Sequence, residues 1–93
     1  MNVILQYTEK ARNDLAKFDA VIRTRILLKL EIFCYKSKAQ KHSKALTGMY
    51  QGLYRFRVGD YRAIFKKDAQ GRITIITIVR IKHRRVYMSS AMS

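Results

Sequence analysis

Across residues 54–65 the chain reads YRFRVGDYRAIF, with apolar and polar residues alternating on either side of Gly59-Asp60. Alternation with period two marks a strand that buries one face, and Gly at the first position of a two-residue connection is a hairpin signal. The pattern predicts a β-hairpin over residues 52–65 in which Val58 opposes Tyr61, Arg57 opposes Arg62, Phe56 opposes Ala63 and Arg55 opposes Ile64. One face then carries Tyr54, Phe56, Val58, Tyr61, Ala63 and Phe65, suited to burial under helices. The other carries Arg55, Arg57 and Arg62.

Residues 2–7 (NVILQY) are a short apolar run with β-branched residues and predict a first strand. Thr8 is positioned to cap a helix over 9–18, with Glu9 in the first turn where the helix dipole favours an anion. Asp19 is positioned to cap a second, longer helix. Its Val21, Ile22, Ile26, Leu30, Phe33 and Cys34 recur mostly at three- and four-residue steps and define a buried face, with Arg23, Arg25 and Lys29 largely on the solvated one. The polar run 36–44 (KSKAQKHSK) reads as the helix end followed by a loop, with His42 at the surface. Ala45-Leu46-Thr47-Gly48 supplies an apolar anchor and a turn before the hairpin.

Beyond the hairpin, 66–72 (KKDAQGR) reads as a second turn around Asp68 and Gly71. Residues 73–81 (ITIITIVRI) are apolar on nearly both faces, the pattern of a strand in the middle of a sheet. Residues 82–87 then leave the sheet and 88–93 form a tail. The order β-α-α-β-β-β predicts a small α+β fold, one domain over residues 1–93, with two N-terminal helices packed on a mainly antiparallel sheet.

Charge changes the picture. Twenty Lys and Arg against six Asp and Glu give a net charge of +14. From Lys36 onward the imbalance is fourteen basic residues against Asp60 and Asp68 alone. Such a field attracts polyanions, with affinity that falls steeply as salt rises. Nucleic acid fits it best, and an acidic protein partner is compatible with it. The same two possibilities hold for the hairpin: three arginines on one face either extend into water or converge on an anion, and like charges set opposite each other favour the second reading.

Cys34 is the one cysteine, which excludes an intramolecular disulfide and a cysteine-based zinc site, and it sits in an apolar helical run as a small core residue. No metal-ligand cluster, nucleophile–His–carboxylate set or Gly-rich phosphate loop is present, and six scattered acids do not make a two-metal nuclease. No secretory signal opens the chain and no apolar segment is long enough to cross a membrane, so a cytoplasmic location is expected.

Leu46-Thr47-Gly48 before the hairpin, Leu53-Tyr54-Arg55-Phe56-Arg57-Val58-Gly59-Asp60-Tyr61-Arg62 through it, the Ile-rich strand, and His83-Arg84-Arg85-Val86-Tyr87 resemble the RelE/ParE superfamily of bacterial toxins. The resemblance spans nearly the whole chain and leans to the RelE-like mRNA interferase branch. It implies a toxin of a type II toxin–antitoxin system that enters the ribosomal A site, cuts messenger RNA and blocks translation. Its partners would be a cognate antitoxin, the ribosome with its 16S ribosomal RNA, and mRNA, with no cofactor. The RelE-type active site carries over to Arg55 and Arg57, Arg62, Arg84 and Tyr87, of which the hairpin pattern independently singles out the first three. Lys82 stands where many relatives have Gly, and the step from Arg84 to Tyr87 is shorter than in those relatives.

RNA can be cut without metal if the 2′-OH attacks the adjacent phosphate in line, with help in deprotonating that hydroxyl, stabilising the transition state and protonating the leaving 5′-oxygen. Arginine forks onto phosphate oxygens, which suits Arg62 and Arg84 to transition-state stabilisation, with Arg55 and Arg57 adding to the field. Lys66, Lys67, Arg80, Lys82 and Arg85 are further RNA-binding candidates. Acid–base candidates are His83, Tyr87 and the lysines 66 and 67. Strand alternation would point His83 and Arg84 to opposite faces, and Tyr87 can equally pack the tail or stack on a base. Two alternatives come with the resemblance: a ParE-like inhibitor of DNA gyrase without nuclease activity, and a non-catalytic nucleic-acid-binding relative.

Overall fold

The computed structural model describes residues 2–35 and 39–84. In chain order they form β1 (Asn2–Tyr7), α1 (Glu9–Ala16), α2 (Ala20–Cys34), α3 (Ala39–His42), β2 (Ser43–Ala45), a 3-10 turn (Gly48–Tyr50), β3 (Tyr54–Val58), β4 (Tyr61–Gln70) and β5 (Ile73–His83). The five strands make one sheet in the order β1-β5-β4-β3-β2. Only the β1–β5 pairing is parallel. The architecture is the α+β one that the pattern predicts, with helices on a mostly antiparallel sheet.

The hairpin forms in the predicted register. Val58 pairs with Tyr61, Arg57 with Arg62, Phe56 with Ala63 and Arg55 with Ile64. Gly59 has φ +58°, in the left-handed region that Gly enters without a Cβ penalty, which is what a two-residue turn between twisted strands requires. The alternation then does its work: Phe56, Val58, Ala63 and Phe65 are buried. Ala11 and Leu15 of α1 and Ile26, Leu30 and Cys34 of α2 close over them together with Ile76, Ile78 and Ile81 of β5. The Phe56 and Phe65 rings stack with centroids 4.3 Å apart at the centre of this layer.

Where β1 ends, its neighbour β5 runs on to His83 with an edge that β1 no longer covers, and α1 completes that edge. Thr8 caps α1, accepting from the Ala11 amide at 3.1 Å, and its hydroxyl donates to the Val79 carbonyl at 3.0 Å. Asp14 accepts from the Ile81 amide at 2.9 Å. The cap and the acid thus serve tertiary as well as local structure.

Several expectations are corrected. Residues 39–45 are a helical turn and a strand rather than a loop: Ser43, Lys44 and Ala45 find backbone partners opposite Phe56, Arg55 and Tyr54, and pairing overrides a sequence without alternation. The second connection is tighter than residues 66–72, because β4 stays paired with the Ile-rich strand through Gln70↔Ile73 and only Gly71 and Arg72 turn. Lys82 and His83 remain within β5. α1 stops at Ala16, and Phe18 instead packs on Tyr61 with centroids 4.9 Å apart. Val21 is 70% exposed, one helical step away from the buried line of Ile22 and Ile26. No described helix is long and apolar enough to cross a membrane.

Candidate functional site

Cross-strand partners share a face, so the register builds the site directly. Arg57 pairs with Arg62, and Arg62 pairs with Lys82, which sets three cations side by side on β3, β4 and β5. At the usual strand separation this row spans about 10 Å. The next row, two residues along, runs Lys44, Arg55, Ile64, Arg80. Both rows have the parity opposite to Phe56, Ala63 and Ile81, and so lie on the face turned away from α1 and α2. Arg57 is exposed, while Arg55, Arg62, Arg80 and Lys82 are half-buried and Ile64 is fully buried.

Arg84 joins the same end of the sheet. Its amide donates to the Asp60 carbonyl at 2.6 Å, which ties the exit of β5 to the hairpin turn. Arg57 Nε reaches the Gly59 carbonyl of that turn at 3.4 Å. Arg57, Arg62, Lys82 and Arg84 therefore gather around one corner of the sheet.

Arg80 is held differently. Its Nε and Nη2 donate to the Asp14 carboxylate at 2.9 and 3.1 Å, a two-pronged pair reaching from β5 to α1. Burial alone would raise the Asp14 pKa, but the bonds from Arg80 and the Ile81 amide, with the nearby charge of Lys82, outweigh it and hold the carboxyl below the usual Asp range. Asp14 thus draws the Arg80 charge toward the sheet edge and fixes the backbone from which Lys82 and Arg84 emerge.

The remaining candidates separate. Lys66 shares the arginine face but lies four residues along β4 from Arg62, about 13 Å at strand rise. Lys67 has the opposite parity, and its Nζ lies 5.1 Å from the Tyr54 ring centroid. His83 pairs with Tyr61 on the helix side, their rings edge-to-face at 5.1 Å and 88°. It is turned away from Arg62, as strand alternation anticipates. Arg85 and Tyr87 lie outside the described residues.

Two members of the site are missing from the sequence reading. Lys44 faces Arg55 only because β2 exists. Asp14 carried a signal: it falls one turn from Ala11 and beside Leu15 on the buried side of α1, where a lone acid needs a partner. Among the described residues no group of three or more His, Cys, Asp or Glu could hold a metal ion. What the described face can do is bind phosphate and stabilise negative charge on it.

A family model described as the ParE toxin of the type II toxin–antitoxin system parDE matches residues 5–86. The chain belongs to this family. It is a type II toxin of the RelE/ParE fold. Among solved structures, the toxin–antitoxin complex RelBE2 from Mycobacterium tuberculosis is 23% identical, with TM-score 0.71 over 90% of this chain and 100% of that one. A RelB-RelE antitoxin-toxin complex from Methanococcus jannaschii is 28% identical, with TM-score 0.62 over 91% of this chain and 96% of that one. The isolated RelE toxin of E. coli is 16% identical, with TM-score 0.62 over 96% and 95%. The first and third likenesses bear on the fold. No curated protein matches the sequence at a significant level.

Proposed function

We propose that this toxin is a RelE-like, metal-independent endoribonuclease that cuts messenger RNA on the ribosome, and that a cognate antitoxin neutralises it. The observation that carries the reading is the row Arg57, Arg62, Lys82 with Arg84 at its corner. Like charges in direct register weaken the hairpin, and a phosphorane-like transition state needs the convergent, permanently charged donors that such a row supplies. The antitoxin is supported by the toxin–antitoxin complexes among the structural neighbours.

In this reading the 2′-oxygen attacks phosphorus as its proton passes to a base. The bond from phosphorus to the 5′-oxygen breaks and that oxygen takes a proton, leaving a 2′,3′-cyclic phosphate and a 5′-hydroxyl. Arg62 and Arg84 neutralise the phosphorane-like charge, and Arg55 and Arg57 add to the field. Tyr87 is the proposed proton donor or base-stacking group. His83 is the weaker choice, since its ring lies on the other face. Reliance on the ribosome to align the RNA is what the resemblance to the RelE branch implies.

A second reading, inhibition of DNA gyrase without chemistry, is favoured by one observation: the matching family model is that of the ParE toxin. Purified protein separates the two. Cleavage of ribosome-bound mRNA that disappears in Arg62→Ala, with gyrase supercoiling unaffected, supports the nuclease. Inhibited supercoiling with intact mRNA overturns it.

A further inference from the structure

α2 is apolar on two opposite sides. Ile26, Leu30 and Cys34 are buried in the core, while Val21, Leu28 and Ile32 are 70%, 55% and 58% exposed. At about 100° of helix per residue these three fall within a sector of about 40°, turned away from the buried line. Tyr35, at the C-cap of α2 and 64% exposed, continues the stripe. Four of the seven exposed large hydrophobics among the described residues therefore lie along one line, about 21 Å long. A continuous apolar patch of this kind marks a surface that meets another protein.

The charges beside the stripe decide what that protein is. Arg25 and Lys29 flank it on one side, Thr24 and Glu31 on the other, and all four are exposed. Lys29 and Glu31 differ in height along the helix by two residues, about 3 Å. Among the described residues neither is in an ion pair. Opposite charges on the two flanks make the face self-complementary for parallel helices. A two-fold axis parallel to α2 sets each flank against the opposite flank of the second copy, so that Lys29 meets Glu31 twice while Leu28 faces Leu28 and Ile32 faces Ile32. An axis running across the helices would instead set Arg25 and Lys29 against their own counterparts.

We propose that the outer face of α2 is a pairing surface for a second copy of this chain, with parallel helices packed along Val21, Leu28, Ile32 and Tyr35 and with reciprocal ion pairs between Lys29 and Glu31. The net charge of +14 does not bar the contact. The row Arg57, Arg62, Lys82 lies behind the sheet, on the order of 15 Å from the α2 surface, and salt screens charges beyond about 8 Å. The two sheets lie outermost in such a pair, and both cation faces stay open. One helix face is a small interface, so the association is weak. The inference goes beyond the RNA reading and does not depend on it.

Sedimentation velocity of the purified chain between about 10 and 500 µM tests the pairing. The mass should rise from that of one chain toward that of two. The double variant Leu28→Gln/Ile32→Gln, whose retained fold is checked by circular dichroism, should stay a single chain over the whole range. Its affinity for single-stranded RNA should be unchanged, because the cation row lies on the other side of the sheet. Lys29→Glu and Glu31→Lys should each weaken the association about tenfold, and the two together should restore it to within about twofold. A single chain at every concentration, association that survives Leu28→Gln/Ile32→Gln, or no rescue in the double charge reversal would overturn the proposal. The first of these results would leave the stripe to a different protein.

Discussion

Arg57 and Arg62 stand directly opposite each other across β3 and β4, on the face that α1 and α2 leave uncovered. Directly opposed like charges cost on the order of 0.2–1 kcal/mol, so this pair weakens the hairpin that carries it. Arg57→Thr removes the repulsion and adds a β-branched residue. It should raise the urea midpoint by an amount equivalent to about 0.5 kcal/mol with an unchanged slope, while weakening RNA binding. A clear loss of stability would show that Arg57 is held for structure.

Face assignment makes a sharper contrast between two lysines. Lys82 stands in the cation row beside Arg62, whereas Lys67 lies over Tyr54 on the other side of the sheet. In a plot of log affinity for single-stranded RNA against log salt, Lys82→Ala should lower the slope by about 0.7, the value for one phosphate contact. Lys67→Ala should leave it nearly unchanged. Equal effects would mean that charge acts through the general field rather than through this row.

Asp14 predicts a pH dependence. Its folded pKa is depressed, so its contribution is fully present above the unfolded value of about 3.9 and is lost as pH falls through the lower folded value. Asp14→Asn should destabilise the chain by about 2 kcal/mol at pH 6, in line with the loss of charge-assisted hydrogen bonds. The gap between the two proteins should narrow progressively below about pH 4. Urea melts across that range check this, and a gap that stays constant to low pH would contradict it.

Cys34 is buried, and burial pushes its thiol pKa up to about 11. The thiolate is the reactive form, so a thiol reagent at pH 8 should react slowly with the native chain and promptly once denaturant opens the core. Fast reaction without denaturant would mean that α2 lifts from the sheet under native conditions.

The hairpin was legible in the sequence because two independent signals agree there: Gly at the turn, and alternation on both sides that only Ile64 interrupts. The arginine face follows from that register. The short strand Ser43–Ala45 was not legible, since a three-residue polar edge is defined only by its partner. Asp14 and Arg80 lie 66 residues apart and meet only when α1 closes the free edge of β5. The apolar residues of α2 were partly misassigned for a related reason. Of the residues assigned to its buried face only Val21 is exposed, and since Leu28 and Ile32 outside that face are exposed apolar residues too, the helix does not announce the exact edge of its buried side. Tyr87, the proposed proton-transfer or stacking residue, and Arg85, an RNA-binding candidate, lie outside the described residues.

The most direct measurement is to express the chain in bacterial cells and map new 5′ ends on translated and untranslated copies of one reporter mRNA. The account predicts cuts confined to the translated copy, carrying 5′-hydroxyl ends and absent in Arg62→Ala. Growth arrest with no new ends and with DNA-damage signalling would contradict it, and would make the arginine face a binding surface for a topoisomerase.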